Sequence, residues 1–224
     1  MSQRKPSAKR SGRTHAPGTG PCSHDIPRKT VYRLSLYFRC LGLMVANRES
    51  IVSSAALASV AGVQPAQLRK DLTYCGPLGK RGTGYEVIHL RNRLEEILGR
   101  ASLQPVILVG AGNLGQALLS YKGFAREGFE ITGAFDIRPQ RSASGNIPVQ
   151  PINRMRGFIR KNGIRMAILS VPGHSAQQVA DELVGSGIHA ILNFSSTVLH
   201  LPETVAVNNV NLAIELENLS YFAR

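Results

Sequence analysis

Apolar side chains recur at helical spacing early in the chain. Between Thr30 and Asn47 they follow steps of three, four and seven residues, which is the pattern of a helix with one buried face. The pattern predicts an amphipathic helix that begins after Pro27, with Arg33 and Arg39 projecting from it.

The next stretch predicts two short helices joined by a tight turn. Ser53 or Ser54 can cap the first helix and Gly62 ends it, while Pro65 suits the first turn of a second helix that runs through Tyr74. Two short helices of this kind are typical of a helix-turn-helix, whose second helix enters the major groove of DNA. Taken alone, the pattern also fits the solvated face of an ordinary helical hairpin.

The second short helix has a polar side and an apolar side. Arg69 and Lys70 are the pair expected to face the groove. Ala66, Leu68 and Leu72 are expected to pack inward.

A glycine-rich stretch, GPLGKRGTGYEV, follows at residues 76–87. Its glycines permit positive φ angles and residues 85–88 resume an extended pattern, so we expect a β-hairpin wing with Lys80 and Arg81 at its tip. A cationic tip fits the negative potential of a narrow minor groove. Together these elements predict a winged-helix DNA-binding domain. Its candidate DNA-contacting residues are Gln67, Arg69, Lys70, Tyr74, Lys80, Arg81 and Gly82.

The positive charge of the chain lies mostly in this first part. The formal net charge is +13, of which residues 1–25 carry +4, residues 26–100 carry +7 and residues 101–224 carry +2. A basic front domain favours a polyanionic partner, with DNA, RNA and an anionic membrane surface as candidates. Residues 1–26 are rich in Ser, Gly, Pro and Lys/Arg, which predicts a disordered basic tail that lacks the apolar segment of a secretory signal.

In the second half of the chain, predicted strands alternate with helices. An apolar strand over residues 105–109 runs directly into a G-x-G-x-x-G pattern that opens a helix, which is typical of a Rossmann-type dinucleotide-binding fold. In that fold the pyrophosphate lies at the helix N-terminus. The residues expected to hold it are Gly110, Ala111, Gly112, Asn113, Leu114 and Gly115.

A carboxylate ends the next predicted strand. Residues 129–135 lead into Asp136, twenty-four residues after Gly112, where a carboxylate would bond the ribose diol of NAD(H). The same carboxylate would repel a 2′-phosphate, so the sequence favours NADH and NAD+ as the cofactors over their phosphorylated forms. Arg138 leaves the second option open, because an arginine can pair with that phosphate.

Two further strand–helix units complete the expected parallel sheet. The strands cover residues 166–171 and 189–193, and each is expected to lead into a helix. Because ligands bind at the carboxyl ends of such strands, the residues there are candidates for cofactor binding. They are Val171, Pro172, Asn193 and Phe194.

The last fifteen residues predict a helix with an apolar stripe. This helix can close its own domain or cross to another protomer, and we favour the crossing because DNA-binding proteins of this type bind paired half-sites as two-fold dimers. The expected fold class is α/β with a domain-swapped C-terminal helix. Its parts are a tail (1–26), a winged-helix domain (27–99), a linker (100–104), a Rossmann-type domain (105–209) and a dimerisation helix (210–224).

The composition bears on metal binding, on the cellular compartment and on membrane insertion. Cys22, Cys40 and Cys75 are widely spaced and have no histidine cluster at zinc-ligand spacing, so we expect no metal site and a reducing cytoplasm. No run of eighteen apolar residues occurs, so we expect no membrane span.

Taken together, these motifs resemble the bacterial redox-sensing transcriptional repressor family Rex. The resemblance covers residues 27–224 and rests on YFRCL, LRKDLTYCGPLGKRGTGY, VGAGNLG, AFDI, GIHAILNFSS and the terminal helix, in that order. It implies a homodimer that binds double-stranded operator DNA when NADH is low relative to NAD+ and leaves it when NADH binds.

The resemblance also implies a set of switch residues. In the family, an arginine of the first helix, matching Arg39, and a tyrosine after the glycine loop, matching Tyr121, join an aspartate near the start of the last helix. This chain has Asn211 where that aspartate is expected, which removes a charge. Either a neutral hydrogen bond replaces the ion pair, or the switch is weaker or depends on other contacts. Cys75 stands where the family usually has an aromatic residue.

Two other classes of protein share parts of this pattern. An NAD-dependent oxidoreductase would need an acid or base at its substrate, and His174 is the one histidine in a plausible strand-end loop. No substrate domain remains after the two predicted domains, so we expect neither a catalytic residue nor an enzyme. A CoA-binding nucleotide domain with a basic DNA-binding arm shares the strand, glycine loop and helix, although Asp136 favours a dinucleotide.

Overall fold

The computed structural model describes residues 26–80, 82–139 and 147–223. The predicted tail, apart from Ile26, lies outside the described residues, as do Arg81 and the side chain of Lys80. The chain forms two compact units with their boundary between Gly99 and Arg100.

The first unit is a winged helix, as the sequence predicts. β1 and β2 each pair antiparallel with β3, so three short strands form the wing. A 3₁₀ turn over Thr73–Cys75 separates α3 from β2. The elements run in the order α1 (Arg28–Ala46), β1 (Ile51–Val52), α2 (Ser54–Val60), α3 (Pro65–Leu72), β2 (Gly79–Lys80), β3 (Gly84–Glu86) and α4 (Val87–Ile97).

Local chemistry explains the helix boundaries. The Ser53 side chain accepts a hydrogen bond from the Ala56 N–H at 3.0 Å and so caps α2. Gly62 has a φ of +65°, which favours glycine after the helix end. Pro65 opens α3, where its missing N–H costs nothing.

Three local predictions in this unit are wrong. The helix that starts at Pro65 ends at Leu72, so Tyr74 lies in the 3₁₀ turn. Val87 opens α4 and does not extend the strand, because Val87, Leu90 and Leu94 are fully buried at helical spacing. Ala66 is exposed on α3 and does not pack inward.

The second unit is built on a parallel sheet. Within the described residues its strand order is β6-β5-β4-β7-β8-β9, and every neighbouring pair is parallel. The order reverses between β4 and β7, which is the Rossmann arrangement and confirms the predicted Rossmann-type α/β domain. The exchange of the last helix between subunits stays a prediction. The elements are β4 (Gln104–Val109), α5 (Asn113–Ser120), α6 (Gly123–Arg126), β5 (Phe129–Asp136), β6 (Val149–Pro151), α7 (Met155–Asn162), β7 (Met166–Leu169), α8 (Gly173–Ser186), β8 (Ala190–Asn193), β9 (Ala206–Asn209) and α9 (Leu212–Phe222).

The structure corrects the predicted unit after β8. Residues 194–205 contain no helix and form an irregular segment that leads into β9, a strand that the sequence analysis did not predict. Asn193, the last residue of β8, holds the start of this segment by side-chain hydrogen bonds to the backbone of Ser195 and Thr197. Such bonds compete with helical hydrogen bonding.

The last helix, α9, presents its apolar side chains to solvent in the single chain. None of its residues is buried, and the exposed fractions of Ile214 and Leu216 are 51% and 66%. Residues 26–80, 82–139 and 147–223 therefore leave this apolar surface uncovered. No helix in the described part of the chain is long and apolar enough to cross a membrane.

Candidate coenzyme site and nucleic-acid interface

The glycine loop joins β4 to α5 at the point where the strand order reverses. Gly110 has a φ of +96°, and a Cβ there would lie 2.5 Å from the Ser170 carbonyl oxygen. A Cβ on Gly115 would lie 2.1 Å from the Gly110 carbonyl oxygen. The fold itself therefore requires glycine at these two positions.

Gly112 has a different environment. It precedes α5 at the N-cap position, and nothing lies within 4 Å of a Cβ placed there. This open space adjoins the first-turn residues Asn113 and Leu114, which are exposed. Unpaired N–H groups and the positive end of a helix attract phosphate oxygens. The residues present therefore fit a pyrophosphate group at this loop.

Asp136 lies against the same loop. Its Oδ2 atom accepts a hydrogen bond from the Ala111 N–H at 2.7 Å, and its Oδ1 atom accepts one from the Arg138 N–H at 2.8 Å. The carboxylate is thus fixed beside the glycine loop at the carboxyl end of β5. This is the placement that a ribose contact needs, while the contact itself stays a prediction.

The other candidates at the strand ends are apolar residues, except Asn193. Val171 is half-buried, Pro172 is exposed immediately before α8, and Phe194 is half-buried after β8. These side chains provide apolar surface at the carboxyl edge of the sheet.

Asn193 is buried and uses all of its hydrogen-bonding capacity within the protein. Its Nδ2 atom donates to the Thr197 carbonyl at 2.9 Å and to Asn209 Oδ1 at 2.8 Å. Its Oδ1 atom accepts from the Ser195 N–H at 2.9 Å and the Ser195 hydroxyl at 2.6 Å. No polar atom of Asn193 is left for a coenzyme in this structure, so Asn193 supports the loop between β8 and β9.

The three switch candidates lie at element ends or on exposed helix surface. Tyr121 follows α5, is 59% exposed and packs edge-to-face on Phe124 with ring centroids 5.0 Å apart. Arg39 is exposed on α1. Asn211 caps α9, where its Oδ1 atom accepts from the N–H groups of residues 213 and 214 at 3.0 and 3.4 Å.

Tyr121 also has a specific neighbour on its own loop. A Cβ built on Gly123 would lie 2.3 Å from Tyr121 Cζ, so the tyrosine ring covers this glycine closely. The tyrosine ring can lie here because Gly123 has no Cβ.

The recognition helix α3 presents cations to solvent. Arg69 and Lys70 are exposed in its last turn, and Arg69 Nη1 donates to Ser54 Oγ at 3.2 Å. An open groove of about 450 Å³ lies between α3 and the wing, and no acidic residue occurs among the described residues that line it. Tyr74 is half-buried, and Gly82 is exposed with a φ of +85°.

A buried ion pair that the sequence did not predict joins α1 to α3. Asp71 is 1% exposed and accepts from Arg33 Nε at 2.6 Å, Arg33 Nη2 at 2.7 Å and the Tyr37 hydroxyl at 2.8 Å. Gln67 Nε2 donates to the same carboxylate at 2.8 Å. Arg33 therefore does not project into solvent as predicted, because a buried carboxylate requires a paired charge. The i, i+4 spacing within each helix was the available signal.

The protonation states of this cluster follow from its contacts. Burial disfavours a charged carboxylate, but the hydrogen bonds from Arg33, Tyr37 and Gln67 outweigh it and lower the pKa of Asp71. Burial and the bond to Asp71 raise the pKa of Tyr37, and the bond to Asp71 raises the pKa of Arg33. At neutral pH, Asp71 is a carboxylate that only accepts hydrogen bonds.

The described cysteines are buried thiols. Cys40 and Cys75 are free, and burial raises the pKa of Cys75 to about 11. Thiols of this kind react slowly because little thiolate is present. Among residues 26–80, 82–139 and 147–223, no three His, Cys, Asp or Glu side chains group closely enough to hold a metal ion.

Comparisons with known proteins match both units. A family model described as a putative DNA-binding protein N-terminus matches residues 25–73, and one described as a CoA binding domain matches residues 102–197. The redox-sensing transcriptional repressor Rex of Streptomyces avermitilis is 43% identical over 94% of this chain and 84% of its own length. The repressor of the same name from Desulfitobacterium hafniense is 44% identical over 88% of this chain and 94% of its own length.

Solved structures agree with these relatives. RSP, a Rex-family repressor, in complex with β-NAD+ and operator DNA has a TM-score of 0.82 and 37% identity, with 88% of this chain and 92% of that chain covered. RSP in complex with β-NADH has a TM-score of 0.77 and 35% identity, with 89% and 94% covered. The winged helix, the Rossmann sheet and these likenesses over nearly the whole chain lead to one assignment. This chain belongs to the Rex family of redox-sensing transcriptional repressors.

Proposed function

We propose that this chain represses transcription by binding double-stranded operator DNA when NADH is low relative to NAD+, and that it releases the DNA when NADH binds. One observation carries the proposal. The same chain has an exposed cationic recognition helix and a Rossmann sheet whose glycine loop is open at Gly112. The relatives are named as transcriptional repressors, so the coenzyme acts as a signal and no catalytic residue is assigned.

The proposed DNA interface consists of the recognition helix and the wing. Arg69 and Lys70 lie in the exposed last turn of α3, where they can contact base edges or phosphates of the major groove. The acid-free groove beside the wing favours a backbone phosphate on electrostatic grounds. The remaining members of the interface are Gln67, Tyr74, Lys80, Arg81 and Gly82.

The proposed coenzyme site runs along the carboxyl edge of the sheet. The pyrophosphate lies over residues 110–115 and a ribose diol bonds to Asp136, which is already fixed beside Ala111. Val171, Pro172 and Phe194 supply the apolar surface for the nicotinamide. Asn193 holds the loop that carries Phe194.

This apolar surface gives a reason for unequal binding of the two redox forms. The reduced nicotinamide ring is neutral and the oxidised ring is cationic, and moving a charge into an apolar site costs free energy. A ligand shifts a conformational equilibrium only by its differential affinity for the two states. The site therefore favours NADH as the form that drives release.

The working unit is proposed to be a homodimer. The apolar residues of α9 are exposed in the single chain, and an exchanged helix would bury them against a second copy. Arg39, Tyr121 and Asn211 form the proposed switch set. We also propose a cytoplasmic location, because DNA and nicotinamide coenzymes are the proposed partners.

The match to the CoA binding domain supports a second candidate ligand for the same loop. The single ribose of CoA carries a 3′-phosphate and therefore has no free diol, so CoA makes less use of Asp136 than NADH does. Titration with NADH, NADPH and CoA separates the candidates, and tighter binding of CoA than of NADH would contradict the coenzyme assignment.

The DNA assignment is tested by removing two cations from the recognition helix. Arg69→Ala/Lys70→Ala is expected to abolish gel retardation of the duplex that the wild type selects from a randomised pool, and to leave NADH affinity unchanged. The matched control is Arg156→Ala/Lys161→Ala, which removes two exposed cations from α7. Loss of retardation in both variants would assign the effect to net charge and contradict the interface.

A further inference from the structure

Gln67 lies between the buried ion pair and the exposed side of the recognition helix. It is half-buried, while Arg69 and Lys70 of the same helix are exposed. Its Nε2 atom donates to Asp71 Oδ1 at 2.8 Å. Asp71 in turn is held by the Arg33 guanidinium and the Tyr37 hydroxyl, both on α1.

This contact fixes which way the amide of Gln67 points. The oxygen and nitrogen of a glutamine amide have similar shape, and the hydrogen-bond network decides their positions. Asp71 as a carboxylate can only accept hydrogen bonds, so the NH₂ group of Gln67 must face it. A flipped amide would set Gln67 Oε1 against a carboxylate oxygen in a buried site, which is unfavourable.

The fixed amide leaves one acceptor and one donor for a partner. Oε1 and the second N–H of Nε2 are the atoms that Asp71 does not use. Adenine offers the complementary pair in the major groove, an N6 donor beside the N7 acceptor, whereas guanine offers two acceptors and cytosine a single donor. The amide edge of Gln67 therefore matches adenine.

Building on the proposed DNA-binding function, we infer that Gln67 reads an adenine in each operator half-site, and that Asp71, Arg33 and Tyr37 are positioning residues that hold its amide in the reading orientation. The network also ties α3 to α1, so the reading edge has a fixed place on the domain. A buried ion pair contributes little net stability compared with well-packed apolar side chains. The positioning of Gln67 explains why an ion pair is buried between α1 and the recognition helix.

The test starts with DNA that the wild-type full-length protein selects from a pool of randomised duplexes. Affinities are then measured for the selected duplex, for each single base-pair change in it and for non-specific DNA. Gln67→Met keeps the length of the side chain and removes both polar atoms. We expect it to lose discrimination on the order of tenfold or more at one A·T pair in each half-site, in line with a bidentate base contact. The salt dependence of non-specific binding is expected to stay unchanged, because Gln67 carries no charge. Gln178→Met on α8 is the matched control.

The positioning residues are tested at the same base pair. Asp71→Asn removes the charge and replaces one acceptor oxygen by an NH₂ donor, so the site no longer requires a single orientation of the Gln67 amide. Tyr37→Phe removes one hydrogen bond to Asp71 while the ring stays in the core. Both are expected to reduce discrimination at the pair that Gln67→Met identifies, with smaller losses than that variant. Circular dichroism melts verify folding at the assay temperature, and Tyr37→Phe provides the test if Asp71→Asn does not fold.

Each result is decisive for one part of the inference. Unchanged discrimination in Gln67→Met, or a loss at a G·C pair, overturns the adenine assignment. Equal weakening on all sequences in folded Tyr37→Phe and Asp71→Asn overturns the positioning role and makes the cluster merely structural. A wild type that selects no sequence from the pool contradicts the proposed DNA-binding function itself.

Discussion

The Asp136 carboxylate accepts a hydrogen bond from the backbone N–H of Ala111 at 2.7 Å. One residue at the end of β5 is thereby joined to the glycine loop after β4. The bond holds a negative charge where a coenzyme ribose would lie and links that charge to the phosphate-binding segment. We therefore predict that coenzyme choice and loop geometry depend on the same carboxylate.

Replacing Asp136 by serine is expected to change the preference between phosphorylated and unphosphorylated coenzyme. The carboxylate disfavours a 2′-phosphate by like-charge repulsion worth several kcal/mol, and Arg138 remains to attract one. The ratio of NADPH to NADH affinity should rise by at least about tenfold, since about 1.4 kcal/mol is enough for that change. Fluorescence titration measures both affinities. Glu130→Ser, at the other end of β5, is the control and should leave the ratio unchanged; an unchanged ratio in Asp136→Ser would place the ribose elsewhere.

Two substitutions in the glycine loop are expected to differ in effect, one on coenzyme binding and the other on folding. Gly112→Leu adds a side chain in open space, so the melting temperature should change little while NADH affinity is lost and NADH no longer releases DNA. Gly115→Ala is expected to destabilise the fold, because its Cβ would lie 2.1 Å from a backbone oxygen. Thermal melts with and without NADH measure both effects.

The control for this pair is Gly157→Leu, which adds the same side chain in open space on α7. It should retain NADH binding and release. A Gly112→Leu protein that NADH still releases from DNA would show that this loop does not hold the pyrophosphate.

Gly123 is expected to control the position of Tyr121. Gly123→Ala puts a methyl group within 2.3 Å of the tyrosine ring, and the ring is exposed enough to rotate away without unfolding the domain. The variant should therefore shift the NADH concentration for DNA release in the same direction as Tyr121→Ala. The double variant should add little, because both changes remove one interaction. Gly185→Ala, also in open space, is the control, and additive effects of the two changes would separate Gly123 from the switch.

The parts of the molecule that the sequence predicts well are those with local causes. Ser53, Gly62 and Pro65 each set a helix boundary through their own local chemistry, and the glycine loop is recognised by the spacing of its glycines. A parallel sheet with right-handed crossovers then follows from the alternation of strands and helices.

The parts that the sequence does not predict depend on distant partners. Arg33 and Asp71 are 38 positions apart, so Arg33 reads as a solvated cation until the packing of α1 on α3 is known. Asn193 reads as a strand-end ligand until its bond to Asn209, 16 positions away, shows that it supports β9. In both cases burial determines the role of the polar side chain, and burial is a property of the assembled fold.

Asn211 offers a prediction specific to this chain. Its Oδ1 atom caps α9 by accepting from the N–H groups of Ala213 and Ile214, so its outward-facing group is an NH₂ donor. An NH₂ group cannot accept a hydrogen bond from the guanidinium of Arg39. Asn211→Asp keeps the cap, since both residues are good N-caps and a negative charge suits a helix N-terminus. The melting temperature should therefore stay level or rise slightly.

The same substitution supplies an acceptor that can pair with Arg39. We expect Asn211→Asp to shift the NADH concentration needed for DNA release, and the shift to disappear when Arg39→Gln is combined with it. The measurement is a double-mutant cycle on operator release across NADH concentrations, which isolates the coupling between the two residues. A shift that persists without the arginine charge would assign the effect to helix capping and would remove Arg39 from the switch.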